Sequence, residues 1–217
     1  MKRMLVVLGI LLGGCASQAP TVDVSGLERS SVLRVEDLRP ETERRSETFS
    51  YSISSDAYAI YRLEDGATNP SALRLLQHRA FEQSGGKPDV GALKVRHLVV
   101  YRNLQAEFRR TAVAGALGGT VGAVLVGPPM KGPDGTATSA VDRAGFEALG
   151  ATEYKRGIYS AEENPDRGSV HVVYIETEIG GKRVFTRTVG PVKGKDGNNA
   201  LSDVVDASIK AHLSQYL

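Results

Sequence analysis

The sequence predicts an α/β fold of the α+β sandwich type, an antiparallel-rich mixed sheet packed by two main helices, with a Gly-rich insertion. Three observations carry that prediction. Several runs alternate apolar and polar residues with the period of two that a half-buried strand requires. Two segments, 68–86 and 198–217, repeat apolar residues at helical spacing between cap and stop signals. Gly180-Gly181 separates two alternating runs as a two-residue primed turn does, because both central positions of such a turn need positive φ. The chain has 217 residues and 1 cysteine, so it needs a conventional apolar core, and this length suffices for one domain.

The folded part begins near Val32. SVLRVEDLRP reads as a strand ended by Pro40, and the charged ETERRSE after it as a solvated loop. Phe49, Tyr51 and Ile53 alternate with serines, and Tyr58, Ile60 and Arg62 follow, as in a hairpin. In TNPSALRLLQHRAFEQSGG, Asn69 or Thr68 is the expected cap and Pro70 belongs to the first turn. Leu73, Leu76 and Ala80 form the apolar stripe there, and Gly85 is the stop. LKVRHLVVYRNLQAEFRR puts Leu93, Val95, His97, Val99 and Tyr101 on one face of a long strand. The apolar parity then flips to Leu104, Ala106 and Phe108, which a bulge near Asn103 would reconcile.

The glycine turn pairs Ile179 with Lys182 and Ile175 with Thr186. That register sends Val173, Ile175, Ile179 and Val184 to the core and leaves Glu178 opposite Arg183, an exposed ion pair worth under about 1 kcal/mol. In the last segment Leu201, Val204, Val205, Ile209 and Leu213 make the stripe of an amphipathic helix capped by Asn199. Residues 111–168 lack clear periodicity and read as an insertion with its own role, or as disorder.

At the start of the chain Lys2 and Arg3 precede an apolar run, Met4 to Leu12. Residues 1–14 therefore read as a signal peptide, too short to span a bilayer permanently. Leu12-Gly13-Gly14-Cys15 resembles the lipobox of bacterial lipoproteins. That resemblance implies cleavage before Cys15 and acylation of its thiol and new amino terminus, each buried methylene contributing about 0.8 kcal/mol to anchoring. Ala16 stands where an aspartate would retain such a protein in the inner membrane, so the implied location is the outer membrane, lipid-anchored on the periplasmic face. Residues 15–30, small and polar, read as the tether, and 31–217 as a single domain carrying the insertion.

Charge excludes one class of partner. The whole chain carries 27 basic and 25 acidic residues, and loss of 1–14 removes Lys2 and Arg3 but no acid, leaving 25 against 25. A nucleic-acid binder needs a clustered basic surface, so none is expected as a partner. Enzymatic motifs fare no better. Gly115, Gly118, Gly119 and Gly122 lack the dinucleotide spacing, and Gly190, Gly194 and Lys195 fall one residue short of a phosphate loop. Histidines 78, 97, 171 and 212 sit on separate elements without metal-ligand spacing, so no metal or cofactor is expected. His97 reads as a core histidine, His78 and His212 as helix-surface residues, and Glu162 and Glu163 as loop carboxylates in solvent. Asn198 to Ser202 is similar to part of the OmpA-like cell-wall-binding motif, but Val205 stands where that motif has its arginine.

On a helix, Gly115, Gly119, Ala123 and Gly127 would fall four apart and form a small-residue stripe, as in glycine zippers that let backbones approach closely. Membrane contact or self-association as a homo-oligomer is the functional reading of that stripe, a buried, closely packed segment is the structural one, and a flexible linker is the third.

The order of lipobox, tether, strand with an Asp-x-Arg pattern (Asp37, Arg39), hairpin, capped helix, long strand, hairpin and terminal helix resembles the YajG-like bacterial lipoproteins over about 30–110 and 169–217. The resemblance implies a non-enzymatic α/β sandwich facing the periplasm. The function expected is an accessory or assembly component of the envelope, with an unidentified envelope protein as partner. The alternatives are a small-ligand or lipid-binding module of a transport system and a glycine-zipper lipoprotein. A periplasmic hydrolase would need converging polar groups that the sequence does not display.

Overall fold

The computed structural model describes residues 19–53, 56–87, 91–105, 125–132, 134–166 and 168–217. Eight strands form one sheet: β1 (Val35–Asp37), β2 (Glu47–Ile53), β3 (Asp56–Arg62), β4 (Leu93–Gln105), β5 (Leu125–Lys131), β6 (Ala137–Val141), β7 (Val170–Ile179) and β8 (Lys182–Pro191). The order is β2-β3-β4-β7-β8-β6-β5, every neighbour antiparallel, with β1 parallel to the start of β4. Helices α1 (Ala72–Gln83) and α3 (Leu201–Leu213) pack on one face. The short α2 (Arg143–Ala148) and a 3-10 segment, Gly150–Gly157, cover the other. The fold is thus the mixed α/β class expected, an antiparallel-rich sheet packed by two main helices.

Two apolar cores result. Leu75, Leu76, Val205 and Ile209 meet Leu93, Val95, Leu98 and Ile175 on the α1/α3 face. Phe146, Leu149 and Ile158 meet Val99, Tyr101, Tyr174 and Phe185 on the other. Strand β7 is buried on both faces, which accounts for its nearly unbroken apolar run VHVVYI. The second cover comes from 143–158, a segment whose helical pieces are too short to show a period in the sequence.

Several local expectations need correction. The register of β4 against β7 shifts between Val95 and His97, so the bulge lies there and not near Asn103. Asn103 pairs regularly with Val170, and its Nδ2 donates to Gly157 O at 3.0 Å. Because a bulge reverses side-chain parity, Leu93 and Val95 join the helix-side core with Leu98, whereas Val99 and Tyr101 join the opposite one. Helix α1 starts at Ala72 with Ser71 as cap, its side chain accepting from Arg74 N at 3.4 Å. At its end Gly85 and Gly86 take φ of 67° and 76°, and Gly86 N donates to Phe81 O at 3.0 Å. The N-cap position of α3 is Ala200, but Asn199 Oδ1 accepts from Leu201 N at 3.1 Å and so performs the expected capping.

The β7–β8 hairpin has the expected register from Ile179↔Lys182 to Ile175↔Thr186. Its ion pairing differs. Glu178 bonds Lys94 at 2.9 Å and Arg96 at 3.0 Å on β4, while Arg183 Nε lies 2.9 Å from Glu176. The β4 neighbour Lys94 sits directly beside Glu178 in the sheet, and the bulge adds Arg96, so two cations outcompete one. Their hydrogen bonds hold the Glu178 carboxyl at about 2.

Residues 125–132 and 134–166, expected within the insertion, are built into the domain. β6 pairs β8 and β5 closes that edge. Gly127 lies on β5 at φ 81°, outside any helix, because Pro128 disfavours helical φ/ψ in the residue before it. Pro128, Pro129 and a register shift between Val126 and Met130 blunt this edge against further pairing. Cys15, Gly115, Gly119 and Ala123 lie outside the described residues. Among the described residues no helix is long and apolar enough to cross a membrane.

Candidate functional site: a charged cluster at the β4 bulge

One edge of β4 is longer than its partners can cover. β1 pairs Leu93 to Val95 and β3 pairs Tyr101 to Gln105, which leaves the Leu98 peptide groups between them. Buried peptide groups need partners, and side chains supply them here. Arg39 Nη1 donates to Leu98 O at 3.3 Å, and Glu43 Oε2 accepts from Leu98 N at 3.3 Å.

Arg39 is buried and fully engaged. Its Nε and Nη2 hold Asp37 at 2.8 and 2.9 Å, and Nη1 and Nη2 hold Asp65 at 2.7 and 2.8 Å. With Leu98 O these bonds match the five donors of a guanidinium. Burial opposes its charge, yet its hydrogen bonds to Asp37 and Asp65 prevail and raise its pKa. For Asp37 burial likewise pushes up, and the bonds to Arg39 win and lower it. The Asp-x-Arg pattern of Asp37 and Arg39 is therefore a clamp that ties the end of β1 to the turn Asp65–Ala67.

Glu43, from the 3-10 turn Glu41–Arg44, reaches into the same gap. The ETERRSE segment is thus not a wholly solvated loop, since Glu43 is only 4% exposed. Its Oε1 lies 2.6 Å from His97 Nδ1, and His97 Nε2 faces Glu176 Oε2 at 3.7 Å. The His97 ring stacks on Phe185 at 5.6 Å and meets Phe146 edge-on at 4.9 Å. Glu176 is fully buried and held by Arg143 and Arg183. Two carboxylates, two guanidinium groups and one imidazole thus join the Glu41–Arg44 turn to β4, β7, β8 and α2.

A carboxylate-oriented imidazole is half of a general base. The other half would be a substrate or nucleophile at Nε2, and that nitrogen faces a carboxylate already bound by two arginines. The arrangement is suited to holding elements together. Among the described residues no group of three or more His, Cys, Asp or Glu is arranged to hold a metal ion.

The other histidines and the loop carboxylate also move from their expected places. His78 and His212, expected on helix surfaces, are buried: His78 Nδ1 lies 3.3 Å from Ser30 Oγ, and His212 bridges Thr177 and Thr186 at 2.7 and 2.8 Å. His171 is fully buried, and among the described residues neither ring nitrogen has a hydrogen-bond partner. Glu163, expected in solvent, is buried against Arg187, because the cover of the second face folds its loop onto the sheet. Val205, at the place of the missing cell-wall-binding arginine, lies in the helix-side core. The Asp-x-Arg spacing was the one sequence signal for the cluster. Glu43, Glu176 and Arg143 come together only through the sheet order.

Fold and site together define an α+β sandwich with a largely buried, self-neutralised ionic clamp. No family model, curated protein or solved structure matches this chain.

Proposed function

We propose that the chain is a non-enzymatic, lipid-anchored envelope protein, an accessory or assembly component facing the periplasm. The observation that carries this reading is Cys15, the lone cysteine, directly behind Leu12-Gly13-Gly14 and an apolar run with basic residues before it. The ionic cluster supports the non-enzymatic part, since His97 Nδ1 is bonded to Glu43 and its Nε2 faces a carboxylate held by two arginines. The YajG-like resemblance of the element order agrees with the same role.

Metabolic labelling with an alkyne fatty acid tests the anchor. The wild-type chain incorporates label and fractionates with outer membranes, and Cys15→Ser loses both. An intact mass showing an unmodified Cys15 in the processed chain would overturn the proposal.

A further inference from the structure

We propose that the pocket between the C-terminal ends of α1 and α3 binds the hydrocarbon tail of a single-chain carboxylate amphiphile. Leu33, Ala80, Leu93, Ile179, Leu213 and Tyr216 line it, and its volume is ≈ 170 Å³. Leu33, Leu93 and Leu213 belong to the helix-side core, so the floor of the pocket is core itself.

The chemistry of the lining selects the ligand. The side-chain donors around the pocket are already engaged with the protein. Gln83 Nε2 donates to Leu213 O at 2.9 Å, Ser84 Oγ to Phe81 O at 2.7 Å, and Tyr216 OH to Thr177 O at 2.8 Å. A polar ligand group inside would lose its water with little in the lining to replace it. A hydrocarbon carries no such cost. Apolar cavities of roughly 150 Å³ stay dry and take a benzene-sized guest, so this one has room for one chain of about six to eight carbons and not for two.

A positive charge lies beside the lining residue Tyr216. Lys182 Nζ donates to Gln215 O at 2.6 Å and lies 5.6 Å from the Tyr216 ring centre. Among the described residues it has no carboxylate partner, which leaves its charge available to an anionic headgroup. Leu217, 95% exposed, forms the outer lip. None of this depends on the lipid anchor, and the test removes the anchor.

The test is calorimetric titration of the full chain carrying Cys15→Ser with straight-chain alkanoates of increasing length. Affinity should rise about fourfold per methylene and level off near about eight carbons. Ala80→Leu, which fills the pocket, should weaken octanoate binding by at least about tenfold, and Ile179→Ala should move the plateau to longer chains. Lys182→Gln should weaken octanoate but leave octanol unchanged. Affinity independent of chain length, or an equal response of Ala80→Leu and the parent chain, overturns the tail site. Equal losses for octanoate and octanol in Lys182→Gln overturn the headgroup assignment.

Discussion

Glu163 and Arg187 form an ion pair in which both side chains are completely buried. Arg187 projects from β8 into the second core, 5.6 Å from the Tyr174 ring centre, and also donates to Ile158 O. Burial pulls its guanidinium down to about 9, still above neutrality. Glu163 has a second task, since its Oε2 accepts from Ser160 N at 2.8 Å and closes the turn that carries it. The pair therefore pins the cover of the second face to the sheet.

Removing one member should cost far more than removing both. Glu163→Ala strands a buried guanidinium, and breaking such pairs costs about 3–5 kcal/mol. The double variant Glu163→Leu/Arg187→Met replaces the charges with apolar volume and should retain more stability than Glu163→Ala. Urea unfolding of the two variants decides this. A double variant less stable than the single one would show that the pair contributes more than its desolvation costs.

Helix α3 should respond to a single methyl group under it. A Cβ on Gly190 would meet Val204 Cγ2 at 2.7 Å, Val204 Cγ1 at 2.9 Å and Thr136 Cγ2 at 3.1 Å. Gly190→Ala must push the helix off β8, at a cost of about 1–3 kcal/mol. Gly168→Ala is the control, since nothing lies within 4 Å of its added Cβ, and it should stay within about 0.5 kcal/mol of wild type. Equal melting temperatures for the two variants would contradict the close helix–sheet contact.

At the β4 gap, Glu43→Ala orphans the Leu98 N–H and one nitrogen of His97. A loss of about 2–3 kcal/mol is expected from the unsatisfied buried groups. Glu43→Gln keeps an acceptor for Leu98 and should recover part of that. Hydrogen exchange at the Leu98 amide reads the effect locally: exchange should be fastest in the alanine variant and intermediate in the glutamine variant.

What the sequence made legible follows from range. The β7–β8 register, the α1 stop at Gly85 and the apolar stripe of α3 depend on neighbours a few residues apart, so local periodicity and turn chemistry sufficed. The parity change points to a bulge near Asn103, the wrong end of β4. His97 looks apolar in context, and only the shift at Val95/His97 reveals that it faces a different core from Leu93. Glu43, Glu163 and Glu176 were illegible as buried groups. A carboxylate in a charged segment carries no sign that an arginine 20 or more residues away will meet it, as Arg187 meets Glu163 and Arg143 meets Glu176.

Acid sensitivity should come from two buried histidines with different surroundings. Burial lowers the pKa of His212 to about 3, and burial together with nearby Arg102 does the same for His171, against an ordinary value of 6.5. Between those values the unfolded chain binds more protons than the folded one. Each histidine's contribution is therefore complete above about pH 6.5 and is lost as pH falls, at about 1.4 kcal/mol per pH unit. The loss continues until the folded-state value near 3 is reached. The two sites separate on substitution. His212→Ala removes the bridge between Thr177 and Thr186 and should destabilise at every pH. His171→Leu removes a ring that has no hydrogen-bond partner among the described residues, so stability at about pH 7.5 should hold or rise, and the decline toward about pH 4 should become shallower by the contribution of one group. Urea midpoints measured across that range check both. An unchanged slope in His171→Leu would mean that His171 does not titrate differently on folding.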